Sequence, residues 1–209
     1  MLTVGLTGQS GAGKGVFGSV ISKYDNVRVL DTDITARLVV EKGQPCLEEL
    51  CECFGKEILK EDGSLDRKKL ACVAFSDEQR HECLNRITHR HIMKKITEWK
   101  DNCEKDGVNV AVIDAPLLFE SGADKLCDVT IGVISPYEIR LERVMKRDGI
   151  QEKDARLRLD SQPNDEFFIS KCTYIISNST DEKDFEENAN KLIDKLLNEQ
   201  NKQKGCLQI

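Results

Sequence analysis

A glycine-rich segment near the N-terminus, Gly8-Gln9-Ser10-Gly11-Ala12-Gly13-Lys14, restricts the possible folds of this chain more than any other feature. It follows an apolar run, 2–7, that predicts a buried strand, and it precedes a segment, 14–22, that predicts a helix. Glycines allow a tight turn that points main-chain N–H groups at one centre, and the helix start adds partial positive charge. With Lys14 at its end, the segment predicts a phosphate-binding P-loop. The alternative is a glycine turn without a ligand, which the position between strand and helix disfavours.

The rest of the chain alternates short Val- and Ile-rich runs with longer amphipathic stretches, a pattern typical of a parallel sheet with helical crossovers. Further strands are predicted at 27–30, 108–113, 129–134 and 174–177. We therefore predict an α/β fold: a three-layer parallel sheet of the P-loop NTPase and kinase type, with an inserted helical substrate subdomain and a helical lid.

The sequence predicts one domain over residues 1–200, followed by a frayed tail at 201–209. Residues 34–107 contain no convincing strand and are too long for a simple crossover, so we interpret them as the helical insertion. The predicted core comprises 1–33, 108–135 and 174–200, and the predicted lid comprises 136–162.

Composition limits the possible partners and the location. The net charge of −6 disfavours non-specific nucleic-acid binding, which needs a basic surface. No run approaches the roughly 20 apolar residues of a membrane span, and the N-terminus lacks a signal-peptide pattern. The nine cysteines are odd in number and contain no CxxC pair, which favours reduced thiols. We expect a cytoplasmic protein.

The loop departs from the usual P-loop pattern directly after Lys14, where Gly15 replaces the expected serine or threonine ligand of Mg²⁺. Two interpretations stay open. Water and carboxylates such as Asp31, Asp33 or Asp114 hold the metal, or the protein binds nucleotide and catalyses poorly. Losing one inner ligand corresponds to about 1–3 kcal/mol, roughly ten- to a hundredfold in rate.

Acidic residues stand where two predicted strands end. Asp33 follows the second predicted strand and Asp114 follows the third, and open α/β sheets bind ligands beyond the carboxyl ends of their strands. A carboxylate there accepts a proton from an attacking hydroxyl or holds Mg²⁺ through water; Asp31 and Asp114 are the candidates for the metal. The alternative for Asp33 and Asp114 is a helix N-cap, which aspartate favours.

The predicted lid is rich in arginine. Its candidates are Arg140, Arg143, Arg147, Arg156 and Arg158. Arg143 and Arg147 are four residues apart and share one helical face. Arginine offers planar, permanently charged donors for phosphoryl oxygens. The alternative is a solvated face on which neighbouring acidic residues pair with these arginines.

Together these segments resemble the dephospho-CoA kinase family over about residues 2–200. The most specific piece is Asp114-Ala115-Pro116-Leu117-Leu118-Phe119-Glu120. The other matching pieces are Gly5-Leu6-Thr7-Gly8 with the loop, Leu30-Asp31-Thr32-Asp33, Ala36-Arg37, Phe54-Gly55, Asp62-Gly63-Ser64-Leu65-Asp66-Arg67, Leu84-Asn85, His89, Arg143, Arg147-Asp148, Arg158, Gln162 and Asn178.

The resemblance implies transfer of the ATP γ-phosphoryl group to the ribose 3′-hydroxyl of dephospho-CoA, with Mg²⁺ accompanying ATP. It implies that Asp33 is the base and that Lys14, Arg143 and Arg147 act on the phosphoryl group. The implied ATP site is Gly8, Gly11, Ala12, Gly13, Lys14, Gly15, Val16 and Asn178, the last near the base. The implied substrate site is Asp33, Arg67, His89, Leu118 and Phe119.

The chain differs from the usual family pattern at three places. Gly13-Lys14-Gly15-Val16 replaces Gly-Lys-Ser-Thr, Arg90 replaces a proline, and Arg140 stands near a common glutamine position. Two alternatives to a dephospho-CoA kinase stay open, and Gly15 is the argument for the first of them. One is a nucleotide-binding P-loop protein with weak or no kinase activity, and the other is a different small-molecule kinase of the nucleoside-monophosphate type.

Overall fold

Five strands form one sheet at the centre of the fold, which a computed structural model describes for residues 1–179 and 181–206, with side chains up to residue 199. The strands are β1 (Leu2–Gly8), β2 (Val27–Asp31), β3 (Val110–Asp114), β4 (Val129–Ile134) and β5 (Tyr174–Ser177). Their order is β2-β3-β1-β4-β5, and β1 pairs in parallel with β3 and β4, as β4 does with β5. The prediction of a parallel α/β sheet is confirmed.

The described helices connect these strands. In chain order they are α1 (Lys14–Ile21), α2 (Thr32–Leu38), α3 (Pro45–Phe54), α4 (Arg67–Ala74), α5 (Glu78–Lys105), α6 (Tyr137–Asp148), α7 (Glu152–Asp160), α8 (Asp165–Lys171) and α9 (Glu182–Cys206). Short 3₁₀ turns lie at Lys56–Ile58 and Ala123–Leu126. The chain divides into two units, Met1–Leu30 with Cys103–Ile209 and Asp31–Asn102.

The first unit contains the sheet and its covering helices. Every residue of β3 is buried, as expected for a strand covered on both faces. Phe17 of α1 and Phe185 of α9 are fully buried in the core that these helices share with the strands. The apolar, non-alternating strand sequences therefore follow from burial on both sides.

The second unit is helical and has its own apolar core. Leu50 of α3, Ile58 and Ile87 of α5 are among its buried side chains. Its only strand-like pairing is one isolated bridge between Leu59 and Leu65. This unit therefore stabilises itself through helix packing rather than through the sheet.

Two boundaries differ from the sequence predictions. Within the helical insertion, the sequence predicts a first helix over 36–41. In the structure this helix, α2, begins at Thr32 because the Asp31 side chain caps its N-terminus. The tail expected to fray from residue 201 continues as helix through Cys206, and residues 207–209 lie outside the described residues. None of the eight cysteines whose side chains are described forms a disulfide. In the described part of the chain, no helix is long and apolar enough to cross a membrane.

Candidate nucleotide and phosphoryl-transfer site

The glycine loop joins the central strand β1 to α1, and two of its glycines have backbone conformations that side chains rarely adopt. Gly11 has φ +78° and Gly13 has φ +103°. A Cβ at Gly11 would lie 2.7 Å from the Arg140 carbonyl oxygen, and one at Gly13 would overlap the Asn178 amide nitrogen. Glycine is required at both positions because of backbone conformation and close packing together.

The start of α1 is open to a ligand. Gly13 precedes the helix in a left-handed conformation, and no side chain caps the first N–H groups of α1. The first N–H groups of a helix lack intrahelical acceptors and form, with the helix dipole, a site for anions. The loop therefore presents main-chain donors where the phosphates of a nucleotide are expected.

Asn178, which follows β5, holds the loop from behind and is buried. Its Nδ2 donates to the Ala12 carbonyl oxygen at 2.9 Å, and its main-chain N–H donates to the Ile134 carbonyl oxygen at 2.8 Å. Its own carbonyl oxygen accepts from the Ser135 hydroxyl at 2.7 Å. Asn178 thus ties the loop to the carboxyl ends of β4 and β5.

Arg143 of α6 contacts the same network from the other side. Its guanidinium donates to the Gly11 carbonyl oxygen at 3.3 Å, to the Ser135 hydroxyl at 3.4 Å and to Asn178 Oδ1 at 3.2 Å. All three partners are neutral. The structure therefore places the charge of Arg143 directly against the phosphate loop.

A cavity of about 150 Å³ adjoins this network. Its lining residues are Gly13, Val16, Arg143, Asn178, Glu182 and Phe185. Whole ligand pockets usually measure about 300–1,000 Å³, so this space suits one part of a nucleotide rather than all of it. The predicted ATP-binding residues Gly13, Val16 and Asn178 meet here.

Lys14 and Asp114 form an ion pair at the edge of the loop. The Lys14 ammonium group donates to Asp114 Oδ1, and both side chains are largely buried. Asp114 ends β3 and is followed by a loop rather than a helix, so the N-cap alternative for Asp114 is wrong. The pair places a mobile cation and a carboxylate beside the helix start.

The described residues do not form a metal site of their own. Gly15 is exposed and has open space where a side chain would stand, but it supplies no ligand. The described residues contain no group of three or more acidic, His or Cys side chains that could hold a metal ion. The two predicted metal carboxylates are engaged: Asp114 by Lys14, and Asp31 by the N–H groups at the start of α2.

The chain segment after α7 is also joined to the loop. Gln162 accepts from the Ser10 main-chain N–H through Oε1 at 2.9 Å and donates from Nε2 to the Ser10 hydroxyl at 3.1 Å. Gln9 donates from Nε2 to the Pro163 carbonyl oxygen at 2.8 Å. These contacts fix the end of the predicted lid to the beginning of the glycine loop.

Arg147 occupies a different environment from Arg143. Its guanidinium donates to both oxygens of Asp148, at 2.7 and 2.8 Å, and Arg158 donates to the same carboxylate at 2.7 Å. These hydrogen bonds hold the pKa of Asp148 below its usual value. Arg147 and Arg158 are thus paired and exposed, in the way that the charged-face alternative predicted.

Asp33 lies in the first turn of α2, in the second unit. Asp31 Oδ1 accepts the main-chain N–H groups of Asp33 at 2.7 Å and Ile34 at 3.1 Å. Asp31 is therefore the N-cap, and the cap alternative for Asp33 is wrong. Within the described chain no hydrogen bond or ion pair engages the exposed Asp33 carboxylate.

The other predicted substrate residues of the second unit are Arg67 and His89. Arg67 is exposed in the first turn of α4. His89 lies in α5 and is half-buried, and burial lowers its pKa from 6.5. Because the shift is downward, His89 is mostly uncharged at neutral pH and serves as a neutral hydrogen-bonding group.

The loop after β3 separates its two predicted substrate residues. Leu118 is fully buried and packs on the position of Gly5, so its side chain supports the loop instead of facing a ligand. Phe119 is partly exposed, packs edge-to-face on Phe167 and lies 5.3 Å from Lys171 Nζ. The expectation of direct substrate contact by Leu118 is therefore corrected, and Phe119 keeps that role as a prediction.

Sequence reasoning missed the roles of three residues that shape the site, namely Ser135, Arg140 and Gln162. Ser135 carries no motif, and its importance comes from lying at the carboxyl end of β4 beside the loop. Gln162 appeared only as part of the resemblance. The one sequence signal for Arg140 was its departure from the usual family residue.

The central strand that ends in an open phosphate loop, with Lys14 at the helix start and Arg143 against the loop, defines a P-loop kinase. A family model described as dephospho-CoA kinase matches residues 2–184, and the chain belongs to the dephospho-CoA kinase family.

Individual relatives agree with this assignment. A dephospho-CoA kinase of Corynebacterium glutamicum is 40% identical over 193 residues, which cover 92% of this chain and 98% of that protein. Among solved structures, a Thermus thermophilus protein has a TM-score of 0.78 at 28% identity, covering 93% of this chain and 97% of that one. The dephospho-CoA kinase from Campylobacter jejuni has a TM-score of 0.72 at 27% identity, covering 94% and 97%.

The glycine loop yields a matched pair of substitutions. Gly13→Ala forces a side chain into a strained backbone conformation and into Asn178, so we expect ATP affinity to fall by about tenfold or more. Gly15→Ala meets open space and adds helix propensity of about 1 kcal/mol, so affinity should stay within about twofold. Calorimetric titration with ATP measures both. Equal losses in the two variants would contradict the assignment of the loop.

Proposed function

We propose that the protein transfers the γ-phosphoryl group of ATP to the ribose 3′-hydroxyl of dephospho-CoA, giving CoA and ADP. The observation that carries this proposal is an open phosphate loop at the end of the central strand, in a chain that belongs to the dephospho-CoA kinase family. The loop is the proposed binding site for the ATP phosphates. Membership of the family indicates dephospho-CoA as the acceptor of the phosphoryl group.

The first unit has the groups that a nucleotide needs. Main-chain N–H groups at the start of α1 bind the phosphates, and Lys14 turns from Asp114 toward the β- and γ-phosphates when ATP enters. The cavity beside Gly13, Val16 and Asn178 receives the nucleoside part. Arg143 adds positive charge where the transferring phosphoryl group develops negative charge.

The candidate groups for the acceptor are Asp33, Arg67 and His89 of the second unit and Phe119 of the first. Asp33 has an exposed carboxylate without a competing partner among the described groups, so it can accept the proton of the attacking 3′-hydroxyl. Arg67 offers a charged donor and His89 a neutral one for dephospho-CoA, and Phe119 offers a partly exposed aromatic face. Arg147 would join the phosphates only after leaving Asp148.

Mg²⁺ enters in this proposal as part of the ATP substrate. Since Gly15 has no hydroxyl, phosphate oxygens and water supply most of the metal ligands. Asp114 and Asp31 contribute through water, as Lys14 and the α2 N-terminus already engage their oxygens. When bound, the metal neutralises charge on the phosphates; this chain's residues position those phosphates around it.

The substrate is tested by comparing acceptors in an assay of ADP formation. We expect dephospho-CoA to be phosphorylated with a kcat/KM far above that of nucleosides and nucleoside monophosphates. A preference for a nucleoside monophosphate would favour the other small-molecule kinase. ATP binding without phosphoryl transfer to any acceptor, even at high Mg²⁺, would favour a nucleotide-binding protein without useful catalysis.

Gly15→Ser tests whether the missing hydroxyl at position 15 limits the use of Mg²⁺. The position is helical, exposed and open, so the fold accepts the side chain and the new hydroxyl becomes available to Mg²⁺. We expect turnover at limiting Mg²⁺ to rise by about tenfold. Gly15→Ala is the matched control, since it changes helix propensity without adding a ligand. An unchanged or lower rate for the serine variant would mean that other groups already serve the metal fully.

The base is tested by Asp33→Asn, which keeps the size of the side chain and removes its proton acceptor. We expect kcat to fall by about 10²–10⁴-fold while ATP affinity stays within a few-fold. Asp77→Asn is the matched control, because Asp77 accepts the Arg80 main-chain N–H at the start of α5 and asparagine caps a helix as well as aspartate does. Near-normal activity of Asp33→Asn, or equal losses in both variants, would remove Asp33 from the role of base.

A further inference from the structure

Arg140 lies behind the glycine loop and is buried, with 5% of its surface exposed. Its Nε donates to the Ser135 carbonyl oxygen at 2.9 Å, and its guanidinium lies 5.5 Å from the centre of the Tyr137 ring. Its Nη1 is buried and has no hydrogen-bond partner. The main chain of Arg140 packs against Gly11, where an added Cβ would lie 3.0 Å from the Arg140 Cα. The Arg140 side chain therefore starts next to the phosphate loop.

The arginines of the predicted lid fall into two groups by their partners. Arg147 and Arg158 are exposed and Arg156 is partly exposed, and all three pair with carboxylates: Arg147 and Arg158 with Asp148, Arg156 with Glu138 and Glu152. Arg140 and Arg143 are more buried, and neither forms an ion pair with a described residue. The two arginines nearest the loop are therefore the ones that form no ion pair with the described residues.

Arg140 and Arg143 also share one hydrogen-bond partner, Ser135. Ser135 accepts from Arg140 through its carbonyl oxygen and from Arg143 through its hydroxyl. The remaining partners of Arg143, Gly11 and Asn178, are neutral. Ser135 thus accepts from two positively charged groups, and the hydrogen-bond acceptors of both groups among the described residues are neutral.

Such an arrangement is costly unless an anion completes it. A guanidinium stays charged in proteins, and a buried charge without a counter-ion loses hydration that neutral partners do not fully replace. Burial lowers the pKa of Arg140, and Asp165 attracts it only from beyond ion-pair distance. A water molecule on Nη1 would complete the hydrogen bonding but would leave the charge uncompensated.

We propose that Arg140 is an electrostatic residue of the nucleotide site, whose buried charge is compensated by the polyphosphate when ATP occupies the loop. This inference rests on the ATP-binding part of the proposed function and does not depend on the identity of the acceptor. It adds a binding residue that acts from behind the loop, in a chain whose Gly15 contributes no side chain to the phosphates or their metal.

The expected effect of the Arg140 charge on ATP affinity follows from Coulomb's law. A unit charge about 10 Å from one phosphate charge, at an effective dielectric constant of about 20, changes affinity roughly tenfold. The effect should therefore grow with the number of phosphates. It should be negligible for adenosine, which has none.

The test is a calorimetric titration of the full-length protein with ATP, ADP and adenosine in EDTA, which keeps metal charge out of the comparison. Arg140→Gln removes the charge and keeps an N–H donor for Ser135, so we expect ATP affinity to fall by about tenfold and ADP affinity by less. Adenosine affinity should stay within about twofold. Arg140→Lys keeps the charge and should restore most of the ATP affinity.

Arg156→Gln is the matched control, because Arg156 also lies over the Tyr137 ring, at 5.6 Å, but is partly exposed and paired with carboxylates. It should leave all three affinities within about twofold of the starting protein. The proposal is overturned if Arg140→Gln binds ATP normally, if it loses ATP and ADP by the same factor, or if lysine does not restore binding. It is also overturned if Arg140→Gln lowers the melting temperature of the nucleotide-free protein strongly, since that outcome identifies structural support. Failure to phosphorylate dephospho-CoA would refute the proposed function and leave these binding results unaffected.

Discussion

The close packing of the glycine loop on the ends of β4 and β5 is the constraint on which the site depends. At Gly13 the loop approaches the Asn178 side chain so closely that no Cβ fits between them, and Asn178 in turn holds the Ala12 carbonyl oxygen. This approach sets the start of α1, and with it the direction of the first free N–H groups. The phosphate site is therefore formed by residues more than 160 positions apart, and the parallel sheet brings them together.

Features that depend on local pattern could be predicted from the sequence. The strands, the loop and the helical character of 34–107 follow from apolar runs, glycine spacing and the absence of strand-like segments. Helix ends were less predictable, because a single side-chain cap decides them. Asp31 starts α2 four residues before the predicted position, and the cap is Asp31 rather than Asp33, for which the sequence had left this alternative open.

Features that depend on burial could not be predicted from pattern alone. Leu118 and Phe119 are adjacent and both apolar, yet one is fully buried against Gly5 and the other is partly exposed beside Phe167. The lid arginines look alike in sequence, but their partners separate the buried Arg140 from the solvated Arg158. Which face of a loop or helix meets the core is decided by tertiary packing, and one sequence contains little information about it.

The contacts of the predicted lid at both of its ends have a mechanical consequence. Arg143, in the first helix of the predicted lid, donates to Gly11, and Gln162, at the end of the predicted lid, contacts Ser10. Two hydrogen-bonded attachments therefore hold the predicted lid to a single short loop. Rotation of the whole predicted lid as one body would break both attachments. At the tip, Gly149 turns the chain between α6 and α7 with φ +64°, and Asp148 joins the two helices by accepting from Arg147 and Arg158. Movement of Arg147 toward a phosphate would therefore leave Arg158 on Asp148 and both attachments to the loop in place.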